Sequence, residues 1–201
     1  MGKGPRKRQG ENSLTLDEEI SLLSRRCEEE APQRGSQPQA TDDLIFSDFP
    51  LSNATLSGLA KLNFRNPTDI QAAAIPHALA GRDILGAAKT GSGKTLAFVL
   101  PVVERLYVER WSLEDGLGAL VIVPTRELGL QVFDVLRSVG KAHHISAGLI
   151  TGGKKDYETE QLHVARMNIL VATPGRLLQH LEQTPGFDAS SLQILCLDEA
   201  D

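Results

Sequence analysis

From Phe46 onward, apolar positions in this chain follow two rhythms in turn. Short apolar runs at Asp83–Ala87, Ala119–Val123, Ser146–Ile150, Ile169–Ala172 and Ile194–Leu197 have the length of buried strands. Between them, Lys94–Glu109, Arg126–Val139, Tyr157–Arg166 and Gly175–Glu182 repeat their apolar residues at helical spacing. Buried strands alternating with amphipathic helices predict an α/β fold with a parallel sheet covered by helices on both faces. Ahead of the first strand, Ser52 is placed to cap a helix ending near Asn63, and Thr68 another running toward Ala80. Pro76 inside the second predicts a kink or break there. No internal repeat is visible.

Residues 1–43 read differently. They open on a basic cluster, Lys3–Arg8, and pass through a helix candidate near Leu16–Glu30. They then turn into Q-R-G-S-Q-P-Q-A-T-D-D, too polar to bury. The expectation is a polar, largely disordered N-terminal extension over 1–43. The basic cluster fits a nuclear address or an RNA-touching tail, although short basic runs are common in solvated segments. Leu16, Ile20, Leu22 and Leu23 form a weak apolar stripe suited to docking on a partner.

Composition narrows the function classes. The 201 residues suit one domain with a sizeable core plus a tail. The formal charge of −5 lies wholly beyond residue 40: residues 1–40 carry 7 basic and 7 acidic side chains, residues 41–201 carry 14 and 19. That argues against a broad basic surface that coats DNA, while leaving room for a strip of backbone amides and a few arginines that follow a phosphate chain. Cys27 and Cys196 are far apart, and Cys196 lies inside an apolar run; a reduced intracellular protein with no disulfide and no zinc site is expected. No apolar stretch approaches the length of a membrane span.

Two constellations carry chemistry. Ala88, Lys89, Thr90, Gly91, Ser92, Gly93, Lys94 and Thr95 spell A-K-T-G-S-G-K-T between a predicted strand and a predicted helix. Glycines let the loop turn tightly and aim amides at phosphate oxygens. Lys94 supplies a point charge near the β- and γ-phosphates, and Thr95 a hydroxyl for Mg²⁺. The general pattern has glycine six residues before the lysine, where this chain has Ala88. The second constellation is Asp198 and Glu199, at the end of the apolar run I-L-C-L. Acidic residues ending a buried strand lie where ligands bind in open parallel sheets. Asp198 is expected to hold Mg²⁺ through water, and Glu199 to orient and deprotonate an attacking water. Together these features predict an ATP-hydrolysing P-loop engine.

At this point the chain resembles the first RecA-like domain of DEAD-box ATP-dependent RNA helicases. Asp198–Asp201 spell D-E-A-D, and Ala88–Thr95 match the family's A-x-T-G-x-G-K-T, including the alanine that departs from the general loop. F-R-N-P-T-D-I-Q at Phe64–Gln71, with Phe46 upstream, P-T-R-E-L-G-L-Q at Pro124–Gln131, Gly152-Gly153 and T-P-G-R at Thr173–Arg176 follow in the family's order. The resemblance covers Phe46 to Asp201. Asn63 and Gly129 depart from residues the family often carries, Gly and Ala; Gly129 is expected to loosen its helix slightly.

The resemblance implies roles residue by residue. Gln71 would pair with an adenine edge and Phe46 would offer its ring to that base, with Phe64 mainly in the core. Pro124, Thr125, Arg126, Gly152, Gly153, Thr173, Pro174, Gly175 and Arg176 match positions that follow an RNA backbone without reading bases. Taken alone, the Gly-Gly and T-P-G segments read as plain turns, and the two arginines as surface ion pairs. The implied cofactors are ATP and Mg²⁺; the implied partner is RNA. The runs G-A-A-K-T-G-S-G-K-T-L-A-F and S-A-G-L-I-T-G-G-K are most similar to the nucleolar ribosome-assembly branch, which implies pre-ribosomal proteins as partners and a nuclear or nucleolar location.

Residues 44–201 are then expected to form a partial, C-terminally incomplete RecA-like domain, with the second such domain absent and this chain alone inactive. By the same resemblance, Ile194–Leu197 should not neighbour Ile84–Ala87 in the sheet. Two alternatives stay open: a non-catalytic ATP- or RNA-binding fragment, and a DNA helicase or translocase. His143-His144 lacks companion ligands for a metal, Lys154-Lys155 suits a solvated loop, and Cys196 suits a small buried apolar position.

Overall fold

A computed structural model describes residues 14–153 and 157–200; the Lys3–Arg8 cluster, Lys154-Lys155 and Asp201 lie outside the described residues. Seven α-helices are described: α1 (Leu16–Glu29), α2 (Asn53–Lys61), α3 (Asp69–Leu79), α4 (Lys94–Val108), α5 (Arg126–Val139), α6 (Tyr157–Val164) and α7 (Pro174–Gln183). Four strands, β1 (Ala119–Ile122), β2 (Ala147–Ile150), β3 (Ile169–Ala172) and β4 (Ile194–Leu197), form one parallel sheet in the order β2-β3-β1-β4.

The two-residue period of the strands sends side chains into two separate cores. Ala119, Val121, Ile169 and Val171 pack with Val99, Val103 and Leu106 of α4 and with Val132 and Leu136 of α5. Leu120, Ile150, Leu170 and Ala172 face the other way, onto Val164 of α6, Leu177 of α7 and Phe187. Helices thus cover both faces, as the sequence predicts. Burying a Val or Leu side chain stabilises by about 1.5–3 kcal/mol, so these two layers dominate folding. The second layer stops short of β4, whose Leu195 and Leu197 remain 54% and 59% exposed.

One predicted strand does not form. Asp83–Ala87 runs as an irregular segment with no ladder partner among the described residues, and Leu85 is fully exposed. A strand exists only through its neighbours' hydrogen bonds, and β4, which ends the sheet, does not pair with this segment.

Pro76 does not break α3, which continues to Leu79. A proline inside a helix costs about 3 kcal/mol. Ile75, wholly buried beside it, and the packing of α3 on α4 offset that cost.

Part of the N-terminal extension is ordered. Helix α1 starts at a capping box, in which Glu18 N–H donates to Thr15 Oγ1 and Thr15 N–H donates back to Glu18 Oε2. It docks on this chain's own α4, burying Ile20 and Leu23. Glu19 accepts from Tyr107 Oη (2.8 Å) and Asn53 N–H (2.8 Å), and Arg26 donates to the Asp48 carbonyl (2.9 Å). The irregular stretch after it is tied down as well, because Arg82 donates to the Pro32 carbonyl and His77 Nε2 lies 3.0 Å from that of Ser36.

Candidate nucleotide and nucleic-acid site

Parallel strands bring distant motifs to one edge. Pro124–Arg126 follows β1, Gly152-Gly153 follows β2, Thr173–Arg176 follows β3 and Asp198-Glu199 follows β4. With the strand order β2-β3-β1-β4, the motifs stand side by side at the carboxyl end of the sheet, where ligands bind in open α/β folds. Most of their side chains are exposed; Arg176 is buried and Thr173 and Asp198 are half-buried.

The phosphate loop Ala88–Gly93 leads into α4. Gly91 (φ 81°) and Gly93 (φ 90°) both take the left-handed backbone that glycine adopts without strain. A Cβ on Gly93 would sit 2.4 Å from Gln71 Nε2, whereas one on Gly91 would meet open space. Gly93 provides no side-chain cap, and no acidic residue occupies the first turn of α4. Its first amides are therefore available to an anion. Among the described residues Ser92 Oγ, which is buried, has no hydrogen-bond partner, and Lys94 Nζ folds back onto the Ala88 carbonyl. A glycine cradle, an orphaned hydroxyl and a lysine donating into its own loop fit a bound polyphosphate.

The base-recognition residues are placed differently from expectation. Phe46 is 3% exposed and lies in the core, edge-on to Phe49, while Phe64 is 43% exposed. The order is inverted because the turn Phe46–Asp48 is pulled inward: Phe46 N–H donates to the Arg65 carbonyl, and Leu51 and Leu59 share its cluster. Gln71 is also buried, with both ends of its amide engaged. Its Oε1 accepts from Thr68 N–H (2.9 Å) and its Nε2 donates to the Gly93 carbonyl (2.9 Å). It couples the start of α3 to the phosphate loop, and contacting a base would require giving up one of these bonds.

The candidate RNA contacts divide similarly. Thr125 caps α5 by accepting from Leu128 N–H (3.2 Å), and Arg126 Nη1 lies 3.5 Å from the Gly152 carbonyl. Arg176 was expected at an RNA backbone, yet its side chain is 3% exposed. It donates to the carbonyls of Thr151 and Gly153 and to Gln179 Oε1, and its Nε forms an ion pair with Glu160 Oε2 at 3.2 Å. Glu160 carries no sequence signal; it lies on another helix and reaches Arg176 only through the fold.

Asp198 N–H donates to the Ile122 carbonyl, extending the β1–β4 ladder to the acidic pair. Glu199 then adopts φ 51°, an uncommon backbone for a non-glycine residue that turns the chain sharply off the strand. Burial pushes the neighbouring Cys196 thiol up to about 11, which fits an inert apolar position. Among the described residues no three His, Cys, Asp or Glu side chains group as a metal cage. Thr95 and Asp198 carry a hydroxyl and a carboxylate, the oxygen donors that a hard cation such as Mg²⁺ takes.

The family model for "DEAD/DEAH box helicase" matches residues 68–201. The chain is 54% identical over 185 residues to "ATP-dependent RNA helicase DBP4" of Coccidioides immitis, covering 92% of this chain and 22% of that protein. It is 65% identical over 156 residues to "ATP-dependent RNA helicase dbp4" of Aspergillus oryzae, covering 78% and 20%. A crystal structure of a hypothetical ATP-dependent RNA helicase from Sulfolobus tokodaii matches with a TM-score of 0.66 at 34% identity, covering 75% of this chain and 42% of that one. The chain thus spans about a fifth of the length of these curated relatives. With a phosphate loop, an acidic strand end and a fold shared with such proteins, the chain belongs to the DEAD/DEAH box helicase family.

Proposed function

We propose that the protein is an ATP-dependent RNA helicase, an RNA-dependent ATPase that separates short RNA duplexes or remodels RNA–protein complexes, and that this chain carries its ATP-binding RecA-like part. Support comes from one observation above all: the loop ends that match the family's RNA positions stand beside the acidic pair on a single sheet edge. The runs G-A-A-K-T-G-S-G-K-T-L-A-F and S-A-G-L-I-T-G-G-K, most similar to the nucleolar ribosome-assembly branch, support a place in ribosome assembly, with pre-ribosomal proteins as partners in the nucleus or nucleolus.

ATP would lie with its phosphates against Gly91–Thr95. Lys94 would exchange the Ala88 carbonyl for phosphate oxygens, and Ser92 Oγ and the first amides of α4 would gain acceptors. Mg²⁺ supplies charge neutralisation at the terminal phosphates. Glu199 would hold the attacking water and take its proton. Gln71 would release the Thr68 N–H to meet the adenine edge with Oε1, while its Nε2 keeps the Gly93 carbonyl of the phosphate loop. At the other end of the row, backbone amides and Arg126 would follow RNA phosphates, a contact that carries no base sequence.

The test is the ATPase rate of the full-length protein with RNA and with DNA of the same sequence. RNA alone should stimulate it. Equal stimulation by DNA would favour a DNA translocase, and no stimulation by either would leave only a binding role.

A further inference from the structure

Resting on that reading, we propose that Glu160, outside every recognised motif, is a positioning residue for RNA binding: it holds Arg176 as an internal anchor of the Thr151–Gly153 loop rather than as a contact to RNA. The geometry is specific. Arg176 stands on the first turns of α7, and its guanidinium lies beneath the loop that follows β2. Nε donates to the Thr151 carbonyl (3.2 Å) and lies in an ion pair with Glu160 Oε2 (3.2 Å). Nη2 donates to the Gly153 carbonyl and Nη1 to Gln179 Oε1 (3.0 Å). The guanidinium carbon lies 5.3 Å from the centre of the Tyr157 ring. A fork engaged on three sides and stacked on a ring has little left to offer a phosphate.

Glu160 is what makes the anchor stable. Its Oε2 also lies 2.9 Å from His180 Nε2, and His180 is wholly buried. A carboxylate oxygen only accepts, so His180 donates from Nε2, while its Nδ1 lies 2.8 Å from Thr184 Oγ1. Glu160 thus joins α6 to α7 from a site 12% exposed, and an unpaired charge left there would be costly. The two carbonyls that Arg176 holds belong to residues at either side of Gly152, so the arginine sets where that loop's backbone faces. Loop amides bind phosphate only when they converge, so an anchor beneath them should control RNA affinity without touching RNA.

The two roles for Arg176 predict opposite signs. If it is an anchor, Glu160→Gln in the full-length protein weakens its hold and RNA binds less tightly, by about tenfold, or ~1.4 kcal/mol. If Arg176 contacts phosphate, removing the competing carboxylate releases it and RNA binds more tightly. Binding of a labelled single-stranded RNA by fluorescence anisotropy, with a non-hydrolysable ATP analogue, reads the sign. The KM for ATP should stay within about twofold of wild type, because the phosphate loop lies on another element. Arg176→Lys gives a second reading if Glu160→Gln melts early. A lysine keeps the charge but cannot bridge two carbonyls, so the anchor predicts a similar tenfold loss and a phosphate contact predicts retained affinity. A wild type that RNA neither binds nor stimulates overturns the functional reading and this inference together. A stimulated wild type whose Glu160→Gln variant binds RNA equally or more tightly overturns this inference alone, as does an Arg176→Lys variant with unchanged affinity.

Discussion

Alanine at Gly93 should cost far more than alanine at Gly91, although both glycines serve one loop and share a positive φ. At Gly91 (φ 81°) nothing lies within 4 Å of an added Cβ, so only the left-handed backbone is penalised, by about 1 kcal/mol. At Gly93 (φ 90°) the same penalty applies, and the Cβ would sit 2.4 Å from Gln71 Nε2 and 3.1 Å from Thr68 Oγ1. The Gln71 amide must swing away, losing its 2.9 Å bond to the Gly93 carbonyl and straining its 2.9 Å bond from Thr68 N–H. Leaving a buried amide without partners costs about 1–3 kcal/mol, so Gly93→Ala should destabilise by about 2–4 kcal/mol in all. Gln71→Ala removes the obstacle, and in that background Gly93→Ala should fall back toward the cost seen at Gly91. Urea unfolding of the four single and double variants, followed by far-ultraviolet circular dichroism, measures the coupling. Equal costs at Gly91 and Gly93, or strict additivity of Gly93→Ala with Gln71→Ala, would refute the steric reasoning.

Four other outcomes are expected. Lys94→Ala should abolish ATP hydrolysis and weaken ATP binding, while Glu199→Gln should keep ATP and RNA bound but stop turnover; nucleotide binding by calorimetry beside an ATPase assay separates the two. Gly58→Ala would place a Cβ 2.4 Å from the Val139 carbonyl oxygen, a backbone atom that cannot rotate aside, and should destabilise by about 1–3 kcal/mol, read as a lower Tm. His143 is lowered from 6.5 to about 4, chiefly by burial, so between those values the unfolded state binds the extra proton. Stability should therefore be full above pH 6.5 and fall toward pH 4, and His143→Phe should flatten that slope in urea titrations at several pH values. Residues 1–201 on their own should self-associate through the unpaired edge of β4 and its exposed Leu195 and Leu197, so Leu195→Lys with Leu197→Lys should lower light scattering.

Local chemistry made much of this protein legible from its residues. The two-residue period of β1 and β3 and the helical spacing of α4 and α5 depend on near neighbours in the chain, so those elements appear almost where periodicity puts them. The phosphate loop is likewise written in consecutive residues, because Gly91 and Gly93 are needed for backbone reasons that any fold would impose. Strand order, once parallel, then carries each motif to the same edge.

What tertiary structure alone decided concerns partners distant in sequence. Asp83–Ala87 has the composition of a strand but no ladder to join, and a strand has no existence apart from its partner. Phe46 and Phe64 are the same residue type, and only packing around the Phe46–Asp48 turn buries the first and exposes the second. The weak stripe of α1 finds its surface on α4, where Glu19 meets Tyr107 across 88 positions of sequence. Arg176 reads as a surface cation in T-P-G-R, yet it is buried because Glu160, Thr151 and Gly153 arrive from other elements to satisfy it. Periodicity and loop chemistry are short-range properties and survive translation into sequence; burial and pairing are long-range properties that exist only once the chain has folded.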